Sequence, residues 1–305
     1  MEQIDIKNKQ FAKIITVDEE NNKYEANLSF NNVTEIKKRI SLLKRFRELA
    51  FLNYNVKESC SEYLSKSLHS YDEGTIHFAE INRLLLTILS SFYTYISFCV
   101  KNFDDSFSKI SKKIYDDNYE YRLLFNLRRY MEHNGLVLEG RNTTFNSDSI
   151  LVDYYALTKT LIDSKSIQSS FRKELLSKGI QTICLKEIIE NFGDIIDDVT
   201  IGLISFHQQD LIESFRYLSS IIPHYYSEKK LCFIEETGKE VKYSPFKVMT
   251  MTIEALSRCF VYRMIEEKKR PIIEDRFSFF RILCAIYYGD ENSIPSEKSI
   301  NSNKQ

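Results

Sequence analysis

The first proline in the chain is Pro223. Proline removes a backbone donor and clashes with the preceding turn, so its absence from the first 222 residues leaves that stretch free to build long helices. Abundant Leu, Ile, Lys and Glu favour the same outcome. Only eight glycines and four prolines in 305 residues argue against a turn-dense all-β fold, and 43% hydrophobic residues exclude wholesale disorder. The expectation is a mainly α protein with room for a substantial core.

Forty-two basic against 43 acidic residues leave a net charge of -1, so any nucleic-acid surface must be local. The six cysteines, Cys60, Cys99, Cys184, Cys232, Cys259 and Cys284, are widely separated, which excludes CxxC metal knuckles and predicts reduced, mostly buried thiols. Met1 to Lys13 carries charges throughout and lacks the apolar run of a signal peptide, which predicts a cytoplasmic protein. Leu84 to Val100 is uncharged for 17 residues, at the lower limit for a membrane span. Ser90, Ser91, Thr94 and Ser97 dilute it, and Ile81, Leu84, Leu85, Ile88, Phe92, Ile96 and Cys99 recur at intervals of three and four. That pattern predicts a buried central helix and no membrane.

Along the chain, Phe11 to Val17 and Tyr24 to Phe30 alternate like a β-hairpin. A helix capped at Asn32 or Thr34 follows, with the stripe Ile36, Ile40, Leu43, Phe46 or Arg47, and Ala50. Further helices are predicted over Val56 to Leu68, Thr75 to Lys101, around Phe107 to Ile114, and over Tyr119 to His133, the last capped by Asn118 and stopped by Asn134 and Gly135. Residues 136–149 read as polar and irregular, and Ile150 to Tyr155 as a strand or a helix start. Helices are predicted at Ser170 to Ser177, Leu185 to Glu190 and Ile195 to Ile222. A hairpin, Leu231 to Ile234 with Glu240 to Tyr243, precedes a helix from Phe246 to Glu267. Four regions result: an N-terminal hairpin extension (1–32), a helical core (33–165), a C-terminal helical region with a hairpin near 231–243 (166–288), and a disordered tail (289–305).

Phosphate-binding loops, dinucleotide fingerprints, HExxH and Gly-x-Ser-x-Gly are all absent. His69, His77, His207 and His224 stand apart from other candidate ligands in sequence, so no metal or cofactor is expected. His133 closes Asn126-Leu-Arg-Arg-Tyr-Met-Glu-His133, behind Arg128 and Arg129. An imidazole and a guanidinium together can cleave RNA without metal: the first moves protons and the second holds the charge building on phosphate. Arg129 and His133 share a helix face, whereas Arg128 and His133 are offset by about 140 degrees. Pairing Arg128 with His133 thus favours a frayed helix end or assembly across a dimer. The plain alternative is a solvated helix terminus whose dipole favours cations.

The segments Ile81-Asn-Arg83-Leu-Leu-Leu-Thr-Ile-Leu-Ser-Ser91 and Tyr121-Arg-Leu-Leu-Phe-Asn-Leu-Arg-Arg-Tyr-Met-Glu-His-Asn-Gly-Leu-Val137 resemble the bacterial HEPN-like helical proteins. The resemblance extends from Thr75 to Leu138 and leaves out the N-terminal hairpin. It implies a helical bundle, here with small β-hairpin additions, a homodimer, and metal-independent ribonuclease activity of a toxin or anti-phage defence type. Arg128 and His133 match the family's Arg-x4-6-His motif and would be catalytic, with Asn126, Arg129, Tyr130 and Glu132 as supporting candidates. The position after the motif arginine is usually small and polar, and is Arg129 here. The implied partners are an RNA substrate, a second copy, and an antitoxin or defence-system protein. The alternative is a non-catalytic module of the same fold that binds RNA or protein. Lys37, Lys38, Lys44 and Arg45, with Lys109, Lys112 and Lys113, are the candidate nucleic-acid surface, or else solvated helix faces.

Overall fold

The computed structural model describes residues 10–17, 23–68, 74–145, 150–221, 231–236 and 242–266. The expected tail, His69, His224 and Cys284 lie outside them, as do the side chains of His77, Cys232 and Cys259. Among the described residues the chain is mainly helical, with eight helices and two small antiparallel sheets. It divides into two compact units, residues 1–50 with 204–305, and residues 51–203.

In the first unit the hairpin is present as β1 (Gln10–Val17) and β2 (Lys23–Ser29). The second hairpin, β6 (Leu231–Glu236) and β7 (Lys242–Tyr243), does not stand alone: β1 pairs antiparallel with β6, giving one sheet in the order β2-β1-β6-β7. Ala12, Ile14, Ile15 and Ile234 are buried. Helix α7 (Gln208–Ile221) contributes Leu211, Phe215 and Leu218, and α8 (Pro245–Glu266) contributes Met249 and Leu256.

Helix α1 (Phe30–Leu68) is a single element where the sequence suggests two. Residues 51–55, between the two predicted helices, include Asn53, a residue type that competes for backbone hydrogen bonds. Asn53 is instead buried on the helix's inner stripe, where its Nδ2 donates to Asp197 Oδ1 and Thr200 Oγ1, each at 2.9 Å. Satisfying that amide lets the apolar stripe Ile36, Ile40, Leu43, Phe46, Ala50, Val56, Cys60 and Tyr63 run unbroken.

In the second unit α2 (Gly74–Asp117) joins the two helices expected on either side of Asp104 and Asp105. A kink at Phe103 (φ -138°, ψ 23°) marks the expected break, and the Ser106 hydroxyl donates to the Phe103 carbonyl at 2.9 Å. This helix is, over Phe78–Asp117, long and apolar enough to cross a membrane by length and composition, and 39% of its apolar window is buried. Its buried side carries Ile81, Leu84, Leu85, Ile88, Phe92 and Cys99. The Phe92 ring stands edge-on to Tyr121 and Phe192, at centroid distances of 5.3 and 4.9 Å. Burial pushes the Cys60 and Cys99 thiols up to about 12, as expected of inert core thiols.

Helix α3 (Tyr119–Asn134) follows the predicted limits. Asn118 occupies the N-cap position as expected, and its carbonyl accepts from the Arg122 N–H (3.3 Å), but its side chain makes no capping bond: the Nδ2 donates back to the Ile114 carbonyl (3.2 Å) and closes the last turn of α2. Residues 140–145, expected to be irregular, form β3 (Gly140–Phe145), which pairs with β4 (Ile150–Leu157); β4 pairs in turn with β5 (Thr182–Cys184). β3 is an edge strand with exposed Arg141, Asn142 and Thr143, so it lacks an alternating apolar pattern. β4 alternates cleanly, with Val152, Tyr154 and Ala156 buried. After α4 (Thr158–Asp163) and α5 (Ser169–Lys178), α6 (Leu185–Phe206) joins the helix predicted at Leu185 to Glu190 to the first part of that predicted over Ile195 to Ile222, and the helix breaks at His207, with α7 as the remainder.

Gly135 ends α3 at φ 94°, ψ -145°, a region open essentially to glycine alone. A Cβ there would meet no heavy atom within 4 Å, so any cost of Gly135→Ala comes from the backbone. Urea unfolding should show a loss of about 1–3 kcal/mol for that variant.

Candidate functional site

Helix α3 packs against α2, and its burial pattern sorts the motif residues into two groups. Tyr121, Leu123, Leu124, Asn126, Leu127 and Tyr130 are buried; Glu132 and His133 are exposed, and Arg128 and Arg129 are half-buried. Two of the supporting candidates therefore point inward. The Asn126 amide donates to the Arg122 carbonyl (2.8 Å) and accepts from the Gln168 backbone N–H (3.0 Å), tying α3 to the start of α5. Tyr130 is almost fully buried, and burial raises its phenol above the ordinary value.

Arg122, one turn before Asn126, anchors the helix. Its Nε and Nη2 grip the Glu174 carboxylate at 3.0 and 2.9 Å, while Nη1 donates to the Tyr115 and Asp116 carbonyls at 2.6 and 2.7 Å. The guanidinium thus caps the C-terminus of α2 and holds the Glu174 carboxyl below its usual range. Nothing in the motif pattern singles Arg122 out. An arginine before an apolar stripe reads as surface.

On the outer side, Arg128 does not turn to His133. Its Nη2 donates to Glu132 Oε1 at 2.6 Å, and its guanidinium carbon lies 3.3 Å from the centroid of the Tyr93 ring on α2. The Arg128 side chain is 16% exposed, and that of Glu132 is 47% exposed. His133 has no hydrogen bond or ion pair among the described residues and stands in the solvent-facing last turn, with Arg129 one turn before it. The helix therefore pairs Arg128 with Glu132 and aligns Arg129 with His133, each at i and i+4. Tyr93 is the residue that sequence reasoning missed. An aromatic on an apolar helix reads as core, and only the solvent side of α2 shows it half-exposed in line with Leu86 and Val100.

Of the four candidate nucleic-acid-binding residues on α1, Lys37 forms an ion pair with Glu236 (2.6 Å), Lys38 and Lys44 are exposed, and Arg45 is half-buried. They lie in the first unit, whereas Lys109, Lys112 and Lys113, all exposed, lie in the second. An open groove of 570 Å³ between α1 and α2 is lined by Asn55, Glu58, Glu62 and four serines, including Ser59 and Ser91. Two carboxylates and no cation make it unfit for phosphate. No three His, Cys, Asp or Glu residues gather into a metal-sized group among the described residues.

No family model matches the chain, and no curated protein or solved structure is significantly similar to it.

Proposed function

We propose that the protein is a metal-independent endoribonuclease of the HEPN-like kind, a cytoplasmic dimer acting in a bacterial toxin or anti-phage defence system. One observation supports this reading above the others: the last two turns of α3 carry Arg128 on one side and Arg129 in line with His133 on the other, on a helix that Arg122 and Asn126 tie to α5. In the reaction His133 takes the proton of the 2′-hydroxyl, which attacks the adjacent phosphorus, and the 5′-oxygen leaves with a proton returned by an imidazole. Arg128 holds the charge that builds on the non-bridging oxygens, and Arg129 adds a second cation. The products are a 2′,3′-cyclic phosphate and a 5′-hydroxyl.

Within one chain Arg128 and His133 diverge by about 140 degrees, so two copies of α3 at a two-fold axis supply the converging pair. Leu86 and Val100 are exposed on α2 on either side of Tyr93, apolar side chains suited to hold the copies together against the repulsion of their cations. The full chain should sediment as a dimer at micromolar concentration and cleave single-stranded RNA at an undiminished rate in EDTA. A monomer would remove the shared cleft, and cleavage abolished by EDTA and restored by a divalent metal would remove the mechanism.

The second reading, a module of the same fold that binds RNA or an antitoxin-like protein without cleaving it, is favoured by the engagement of Arg128 with Glu132. An RNA that is bound but never cut would select it.

A further inference from the structure

The Arg128–Glu132 pair is built to be exchanged. A carboxylate four residues after its cation is in the less favourable order for a helical pair, and in the last turn it faces the negative end of the helix dipole. Glu132 takes one nitrogen, Nη2, rather than the two-nitrogen fork that a guanidinium offers to paired oxygens. It is also the solvent-exposed member, at 47% against 16% for Arg128. The Tyr93 contact has the opposite character. The ring lies on a neighbouring helix of the same unit, and the guanidinium rests on its face at 3.3 Å, so the arginine stays in place whatever its head group binds.

We propose that Tyr93 is the positioning residue for the Arg128 guanidinium and that Glu132 is its exchangeable counter-ion, displaced when an RNA phosphodiester takes the fork. This rests on reading Arg128 as the phosphate-holding group, and it adds two things: a residue on α2 that sets the arginine's geometry, and a built-in competitor that keeps the site from binding stray anions. Lysine at position 128 would not substitute, since an ammonium neither stacks flat on Tyr93 nor grips two oxygens.

The chain contains no tryptophan, so Tyr93→Trp places a single indole, excited selectively at wavelengths that tyrosine does not absorb, under the guanidinium while preserving an aromatic face. The probe is a 2′-O-methyl oligoribonucleotide, which carries phosphodiesters but no attacking hydroxyl and so cannot be cut. Its titration should change the emission of the Tyr93→Trp protein saturably, and the added change Arg128→Lys should abolish that response. In anisotropy measurements with the otherwise native chain, Glu132→Gln should tighten binding about threefold by removing the competing ion pair. Tyr93→Leu should weaken it about fivefold, and Tyr93→Phe should leave it unchanged. Equal affinity for Tyr93→Leu and the native protein, or no tightening with Glu132→Gln, would overturn the inference even if natural RNA is cleaved. The expected pattern together with uncut natural RNA would instead uphold it and overturn the ribonuclease reading. An emission change produced equally by inorganic phosphate at the same concentration would overturn the assignment to RNA.

Discussion

Replacing His133 by Ala is expected to abolish RNA cleavage while leaving the protein as stable as before. A positioned general acid–base group contributes about 10²- to 10⁴-fold to a rate, so the variant should fall by at least that lower figure in a gel assay with end-labelled RNA. The fold should not register the change. His133 is exposed in the last turn of α3 and has no hydrogen bond among the described residues, so its truncation removes little packing and at most a helix-dipole interaction of about 0.3–1 kcal/mol. Arg128→Ala should produce a similar loss of cleavage with a small loss of stability, because it also strips the cover from Tyr93. The comparison with Arg129 is informative, since Arg129 rather than Arg128 shares the helix face of His133. If Arg129→Ala stops cleavage and Arg128→Ala does not, the phosphate-holding role moves one residue along the helix. Cleavage that survives both His133→Ala and Arg128→Ala would end the assignment.

How far the sequence foretells this structure depends on whether the relevant contacts are local. Helix α3 is legible to within a residue: its stripe Leu123, Leu127, Tyr130 has helical spacing, and Gly135 supplies a stop that only glycine adopts readily. The kink of α2 shows through as the acidic pair after Phe103. By contrast, the pairing of β1 with β6 joins segments at opposite ends of the chain, and no local pattern records a partner that distant. β3 escapes notice because an edge strand with a solvated face need not alternate. The same holds at the candidate site. Arg128 and His133 are readable as a spacing, but the groups that engage Arg128 are a carboxylate on its own helix and a tyrosine on another, and only the second required the fold. Asn126 shows the converse: it is readable as a polar residue inside the motif, but that its amide ties α3 to the start of α5 required the fold.

Lys57→Ala is expected to be among the most destabilising substitutions in the second unit, although lysine is ordinarily a surface residue. Lys57 Nζ lies 2.7 Å from Asp197 Oδ2, and the Asp197 side chain is 1% exposed. Around it, Asn53 bonds both Asp197 and Thr200, and Thr200 bonds the buried Tyr95 hydroxyl at 2.9 Å, so α1, α2 and α6 meet in one polar cluster inside an apolar core. Removing the cation leaves a carboxylate in a place that water does not reach, and breaking a buried pair from one side costs about 3–5 kcal/mol. Lys57 itself is partly solvated, which places the expected loss near the lower figure, a fall in Tm of about 10 °C for a unit of this size. Replacing both partners, Lys57→Met with Asp197→Leu, removes the charges together and should recover part of that loss, because apolar side chains of similar volume can fill the site while the buried Asn53 amide keeps Thr200 as an acceptor. Calorimetry on the two singles and the double gives the coupling directly. A single Lys57→Ala variant that loses less than about 1 kcal/mol would mean the pair behaves as a surface salt bridge, leaving the Asn53 hydrogen bonds to Asp197 and Thr200 as what holds the cluster together.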